Sequence, residues 1–118
     1  MIKSYKDLEI YQLSYKLALE IHQLTFNFPR SELYELGSQL RRAVMSIPLN
    51  IAEGYGLKSY QNAFRKHLMI AIGSCNEAMV LLDMTRDLGY LDKEKHQNYT
   101  EQYDKLGRKI YKLIQTWK

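Results

Sequence analysis

Apolar residues recur every three or four positions along four stretches of this chain, and nowhere do they alternate with the period of two that a half-buried strand requires. The first stretch, residues 6–27, carries two apolar stripes. Leu8, Tyr11, Tyr15, Ala18 and His22 form one; Ile10, Leu13, Leu17, Ile21, Leu24 and Phe28 form the other. A helix packed on one side needs a single stripe, so the second predicts a neighbour on another side. Ser4 or Asp7 is expected to cap its start, and Pro29 to mark its end, because proline disfavours a helical residue before it. PRSELYEL then reads as a short turn of its own. In the second stretch, residues 38–54, Leu40, Val44, Ile47 and Ile51 form a stripe, with Met45, Leu49 and Ala52 on another side. Gly37 is expected to interrupt the chain and Ser38 to cap the helix after it. Pro48 predicts a kink, with Asn50 placed to satisfy a freed carbonyl. Gly54 and Gly56 are expected to end the helix in left-handed conformations.

The third stretch, residues 59–88, carries Phe64, Leu68, Ala71, Cys75, Ala78, Leu82 and Thr85 at helical spacing, with Ser59 as cap and Gly89 as stop. Its middle is small (Ala71, Gly73, Ser74, Cys75, Ala78), which lets another helix approach closely. The fourth, residues 92–117, has Asp92 as cap and the cleanest seam: Tyr99, Tyr103, Leu106, Ile110, Leu113 and Trp117, alternating three and four as a bundle seam does. Short links place successive helices antiparallel. The expected fold is all-α: a single-domain, antiparallel up-down-up-down four-helix bundle over residues 1–118, with a Pro-kinked second helix and a long third one.

Composition narrows the class. With 118 residues there is room for one core, and one cysteine excludes both an internal disulfide and a cysteine-based zinc site. No apolar run looks long enough to span a bilayer, and the start of the chain is charged early and lacks an apolar signal core. A cytoplasmic protein without a membrane partner is the expectation. The net charge of +4 is unevenly spread. Residues 38–76 carry five Lys/Arg and one acid, and residues 93–118 carry seven and three, whereas residues 77–92 carry one and four. Clustered positive charge suits phosphate or an acidic partner, and also suits a solvated surface.

Candidate chemistry is sparse. A two-metal bundle site needs inward Glu-x-x-His pairs, and none is present. His22, His67 and His96 are single and scattered, and His22 reads as a packed core residue. Cys75, among small residues on an apolar stripe, reads as buried packing, since a nucleophile needs a base and an accessible, electropositive setting. Gly54-Tyr55-Gly56 follows a helix and lacks the strand context of a dinucleotide fingerprint. No catalytic residue, metal, cofactor or small-molecule substrate is expected, so the chain does not read as an enzyme. Ten tyrosines stand out; those on the stripes serve helix contacts, an oligomer interface or base stacking. Arg41 and Glu53 lie ~18 Å apart along one helix, so if buried each needs a partner from another helix or subunit.

SQLRRAVMSIPLNIAEGYG at residues 38–56 resembles the signature of the 23S rRNA intervening sequence protein family, also called the four-helix bundle protein family and, by an older name, S23 ribosomal proteins. YKDLEIYQLSYKLALEI, Phe28-Pro29 and LGYL at 88–91 resemble that family in order. The resemblance implies small four-helix bundles, homopentamers with a central channel among related proteins, a distant relative that binds nucleic acid as a reverse-transcriptase accessory, and no established catalysis. Carried onto this chain, the signature positions are Arg41, Arg42, Ser46, Ile47, Pro48, Asn50, Ile51, Ala52, Glu53 and Gly54, assigned to assembly and core geometry. The expectation is a non-enzymatic homo-oligomeric scaffold, a pentamer by the resemblance. It would meet its own copies through Tyr11, Tyr15, Met45 and Leu49. It would bind RNA or a nucleic-acid-processing protein through Lys105, Arg108, Lys109 and Lys112, supported by Arg65 and Lys66. The alternative is a protein-interaction adaptor without nucleic-acid affinity.

Overall fold

The computed structural model describes residues 1–117, and all regular structure among them is helical. A 3₁₀ turn at Tyr5–Asp7 leads into α1 (Glu9–Thr25). A four-residue α2 (Arg30–Leu33) separates it from α3 (Leu36–Gly56). α4 (Gln61–Asp87) and α5 (Lys93–Thr116) follow.

Local chemistry sets most boundaries. Ser4 accepts from the Lys6 amide at 3.1 Å while Asp7 accepts from the Ser4 amide, a reciprocal capping box. It closes the 3₁₀ turn; Leu8, which precedes α1, offers no side-chain cap. Asp92 caps α5 as expected, accepting from the Lys95 amide at 2.7 Å. Ser59 does not cap α4. Tyr60 occupies that position, its carbonyl accepting from Ala63 and Phe64, and Ser59 lies in the preceding turn.

The glycines of α3 correct the expected boundaries. α3 starts at Leu36, with Gly37 already inside it and Ser38 not a cap. Gly54 and Gly56 are also helical; only Gly89 has a positive φ, 85°, among the described residues, and it ends α4 as expected. Gly54 is glycine for another reason. A Cβ there would stand 2.7 Å from His67 Cβ and 3.0 Å from Phe64 Cδ1, so it lets α3 press against α4. Pro48 lies buried within α3, and the helix runs on through it. Asn50 does not serve the carbonyl that Pro48 deprives of a donor, which is that of Val44. Its amide donates instead to the Ser46 carbonyl (2.9 Å) and hydroxyl (3.0 Å).

α1 packs on α3, α3 on α4 and α4 on α5, with a lighter contact between α1 and α5 closing the set into a body of 45 × 23 × 22 Å. Residue pairings fix the register. Thr25 meets Arg41; Ser46 meets Ser74 and Asn50 meets His67; Asp83 meets His96 at one end of the α4–α5 seam and Gln61 meets Trp117 at the other. The stripes expected on α3, α4 and α5 form the core: Leu40, Val44, Ile47, Ile51, Phe64, Leu68, Leu82, Tyr103, Leu106 and Ile110 are all sealed from solvent. Fully burying each aliphatic side chain is worth about 1.5–3 kcal/mol relative to exposure. α1 contributes Ile10, Leu17, Ala18 and Ile21, along with Ser14 and Thr25, whose hydroxyls bond to carbonyls of their own helix.

α4 revises the reading that no stretch could span a bilayer. By length and composition it qualifies, with a window of mean hydropathy 1.3. Packing explains the composition in part: α4 lies between α3 and α5, and its inner side, including the small residues Ala71, Cys75 and Ala78, is fully buried. Burial raises the Cys75 thiol pKa to about 12, which keeps it protonated and unreactive.

Candidate assembly groove and basic end

Of the α1 stripe Leu8, Tyr11, Tyr15, Ala18 and His22, only Leu8 and Ala18 are buried; the rest turns toward the surface. Tyr11 is half-buried, and Tyr15 (50% exposed) and Leu19 line a groove whose other wall is Met45, Pro48, Leu49 (55% exposed) and Ala52 of α3. The groove encloses about 430 Å³. Tyr5 stacks edge-on against Tyr11 at 4.9 Å, and Tyr11 lies 5.8 Å from Tyr15, so a tyrosine ladder forms one wall. Desolvation raises the Tyr11 pKa, reinforced by the neighbouring Tyr5 and Tyr15. The four residues expected at an interface, Tyr11, Tyr15, Met45 and Leu49, therefore share one surface. His22 also lines it, half-exposed and edge-on to Phe26. The expectation that His22 is packed in the core is corrected: beyond the buried Ala18 its stripe opens into the groove, and the ring lies there half-exposed.

The signature positions divide by role. Ile47 and Ile51 are core, and Pro48 and Gly54 are buried at contacts with α1 and α4. Arg41 turns inward. It donates to Thr25 Oγ1 at 2.8 Å and to the Leu33 carbonyl at 2.9 Å, with its guanidinium over the Phe26 ring, and so ties α1, α2 and α3 together. Arg41 is only partly buried, and its partners come from other helices. Arg42 and Glu53 stay exposed on the rim of the groove, with Ser38, Ser46 and Asn50 beside them. Ser46 and Asn50 belong to a polar chain that runs from Ser74 through Ser46 and Asn50 to His67, which lies 4.0 Å from Glu53. The Asn50 amide nitrogen is committed to Ser46, so its oxygen faces His67 Nδ1, which must donate.

The basic residues gather toward the end of the body where α4 begins and α5 finishes. Lys105, Lys109 and Lys112 line hollows against α1, while Arg108 flanks α4 beside Asp104 and Gly107. Two of the four are already paired. Arg108 meets Asp104 at 3.1 Å, and Lys109 bonds Glu9, whose carboxyl that bond holds below the usual range. Arg65 donates to the Trp117 carbonyl at 3.4 Å, with its Nε buried and unpartnered among the described residues; Lys66 is exposed. Lys105, Lys112 and Lys66 have no ion-pair partner among the described residues.

Two features escaped sequence reasoning. One is the outer side of α4, where Met69 (63% exposed), Ile70, Val80 (52%) and Met84 lie in the open around Gly73. A second apolar stripe on that stretch was the available signal. The other is His96, buried in the α4–α5 seam, 2.7 Å from Asp83 and capped by Arg86; it continues the Tyr99–Tyr103 spacing backward by three residues. No cluster of three or more His, Cys, Asp or Glu converges among the described residues.

The model of the 23S rRNA-intervening sequence protein family matches residues 6–112. A crystal structure of a protein of unknown function from the S23 ribosomal protein family of Bacteroides thetaiotaomicron VPI-5482 superposes with a TM-score of 0.80 at 21% identity. The match covers 91% of this chain and 99% of that one. At that identity the likeness is one of fold. No curated protein matches. The chain belongs to the 23S rRNA-intervening sequence protein family.

Proposed function

We propose that this member of the 23S rRNA-intervening sequence protein family is a non-enzymatic, antiparallel helical scaffold that assembles with its own copies and binds RNA through the basic end. The observation that carries the reading is the α1–α3 groove. Tyr11, Tyr15, Leu19, Met45 and Leu49 form a continuous apolar surface that the protomer's own fold leaves uncovered. Contiguous surfaces of this kind mark interaction sites, and tyrosine and methionine are enriched where proteins meet. Assembly multiplies weak contacts. A modest cluster such as Lys105 and Lys112, repeated around an assembly, gains the avidity that a single copy lacks. The open ends of Lys105 and Lys112 supply the phosphate contacts; Arg108 and Lys109 join them by exchanging Asp104 and Glu9 for phosphate. The expected localisation is the cytoplasm.

Light scattering tests the assembly, and a mass that stays at 14.0 kDa when concentrated overturns it. Filter binding to structured RNA across a salt series tests the second half. Counterion release predicts affinity that falls steeply with salt, and affinity no better than a neutral control at low salt overturns RNA binding. The outer face of α4 favours one other reading, a protein adaptor, to be recognised by a partner retained after nuclease treatment.

A further inference from the structure

We propose that the outer face of α4 of one copy seats in the α1–α3 groove of the next, head to tail, with Arg42 opposite Glu77 and Glu53 opposite Lys66. The inference rests on the self-assembly proposed above and names the surfaces that carry it.

Shape supplies the first argument. The protomer leaves two apolar surfaces open, and they differ in form. One is the concave groove between α1 and α3; the other is a single convex helix bearing Met69, Ile70, Gly73, Val80 and Met84. The groove runs from Tyr11 to His22, eleven residues or ~17 Å of helix, and Met69 to Val80 spans the same ~17 Å. Ridge into groove buries both surfaces, whereas groove against groove buries neither well.

Charge sets the direction. Arg42 and Glu53 stand on the groove rim eleven residues apart, and Lys66 and Glu77 stand on the α4 face eleven residues apart. Eleven residues make about three turns, so each pair keeps to one side of its helix, ~17 Å apart. The signs run opposite ways when α4 of the second copy lies antiparallel to α3, and two ion pairs form at once. Arg42, Lys66 and Glu77 have no ion-pair partner within the protomer among the described residues, and Glu53 has only His67 at 4.0 Å. In that register Leu49 faces Ile70, and Met45 faces the gap at Gly73, where a Cβ would meet nothing within 4 Å. Pairing two α4 faces about a two-fold axis would instead set Glu77 beside Glu77, a like-charge contact. A head-to-tail contact builds a ring where its rotation closes and an open filament where it does not. Lys66 then belongs to the interface, and the α5 cations hold the phosphate role.

The test combines charge reversal with crosslinking. Arg42→Glu or Glu77→Arg alone is expected to weaken association about tenfold or more, and the double exchange to restore it. Leu49→Cys with Ile70→Cys in one chain is expected to give a ladder of oxidised multimers; either alone gives none, and Leu49→Cys with Met84→Cys gives none. The buried Cys75 does not interfere. An assembled wild type whose size ignores both charge reversals, and whose Leu49/Ile70 cysteines stay uncrosslinked, overturns these surfaces and leaves self-assembly standing. A wild type that remains monomeric overturns self-assembly itself.

Discussion

The inner and outer faces of α4 are both apolar, yet only one of them makes the fold. Inward lie Phe64, Leu68, Ala71, Cys75, Ala78 and Leu82, all at zero exposure. Outward lie Met69, Ile70, Val80 and Met84, largely in solvent. The inner set is large toward its ends and small in its middle, and glycines on the facing helices let α3 and α5 close in: Gly54 of α3 sits against His67 and Phe64, and Gly107 of α5 approaches Cys75 at 3.9 Å from where its Cβ would be. The outer set is long-chained and unpaired in size with any neighbour. Hydrophobicity marks both faces, and what distinguishes a core face is steric fit. An apolar face without such a fit is available for something else.

Truncation exposes the difference most strongly. Leu68→Ala should cost about 2–5 kcal/mol of unfolding free energy, and Met69→Ala, one position on and outward, should leave it within about 0.5 kcal/mol. Chemical denaturation at a concentration where the chain is monomeric measures both, and equal losses would abolish the distinction. The glycines give the next largest contrast. Gly54→Ala should destabilise by about 1–3 kcal/mol through overpacking on His67, whereas Gly56→Ala, in open space on a helical backbone, should gain up to about 1 kcal/mol. Tyr103→Phe should raise stability by about 1 kcal/mol, because the buried hydroxyl has no partner among the described residues and burial drives its pKa upward. A loss instead would mean that the hydroxyl is satisfied. The smallest effect is acidic. Glu9 is held below its ordinary pKa by Lys109, and Asp7 by the Lys3 and Ser4 amides. Their contribution is present above the unfolded carboxylate range and is lost as the pH falls through it. Both groups are exposed, so the change is slight and confined to the Tyr5–Asp7 turn and the α1–α5 contact. Hydrogen-exchange protection factors at residues 3–12, corrected for the slower intrinsic exchange in acid, should fall between pH 6 and 3 before those of the α4 core respond.

The core seams of α3, α4 and α5 were legible because periodicity reports which residues share a side, and one stripe on each became the interior. The groove was legible for the same reason, since two stripes on α1 and a second side on α3 exceed what one bundle can bury. Polar residues hid the rest. Ser14, Thr25 and His96 are buried through bonds to carbonyls of their own helix or to Asp83, which no apolar pattern reveals. Gly37 and Gly54 read as breaks because composition does not tell a glycine required by close approach from one required by a turn. Arg41 and Arg42 are adjacent and alike in sequence, yet one bonds Thr25 and the other meets solvent; a hundred degrees of helical rotation separates those fates.

The single tryptophan adds a practical consequence. Trp117 sits edge-on to Phe64 at 4.8 Å and to Tyr55 at 6.4 Å, with its carbonyl held by Gln61. Its indole emission therefore watches a single joint, where the last helix meets the α3–α4 hairpin beside the cationic end. A fluorescence titration will register fraying or ligand arrival there and stay blind to events at the far pole, some tens of ångströms away.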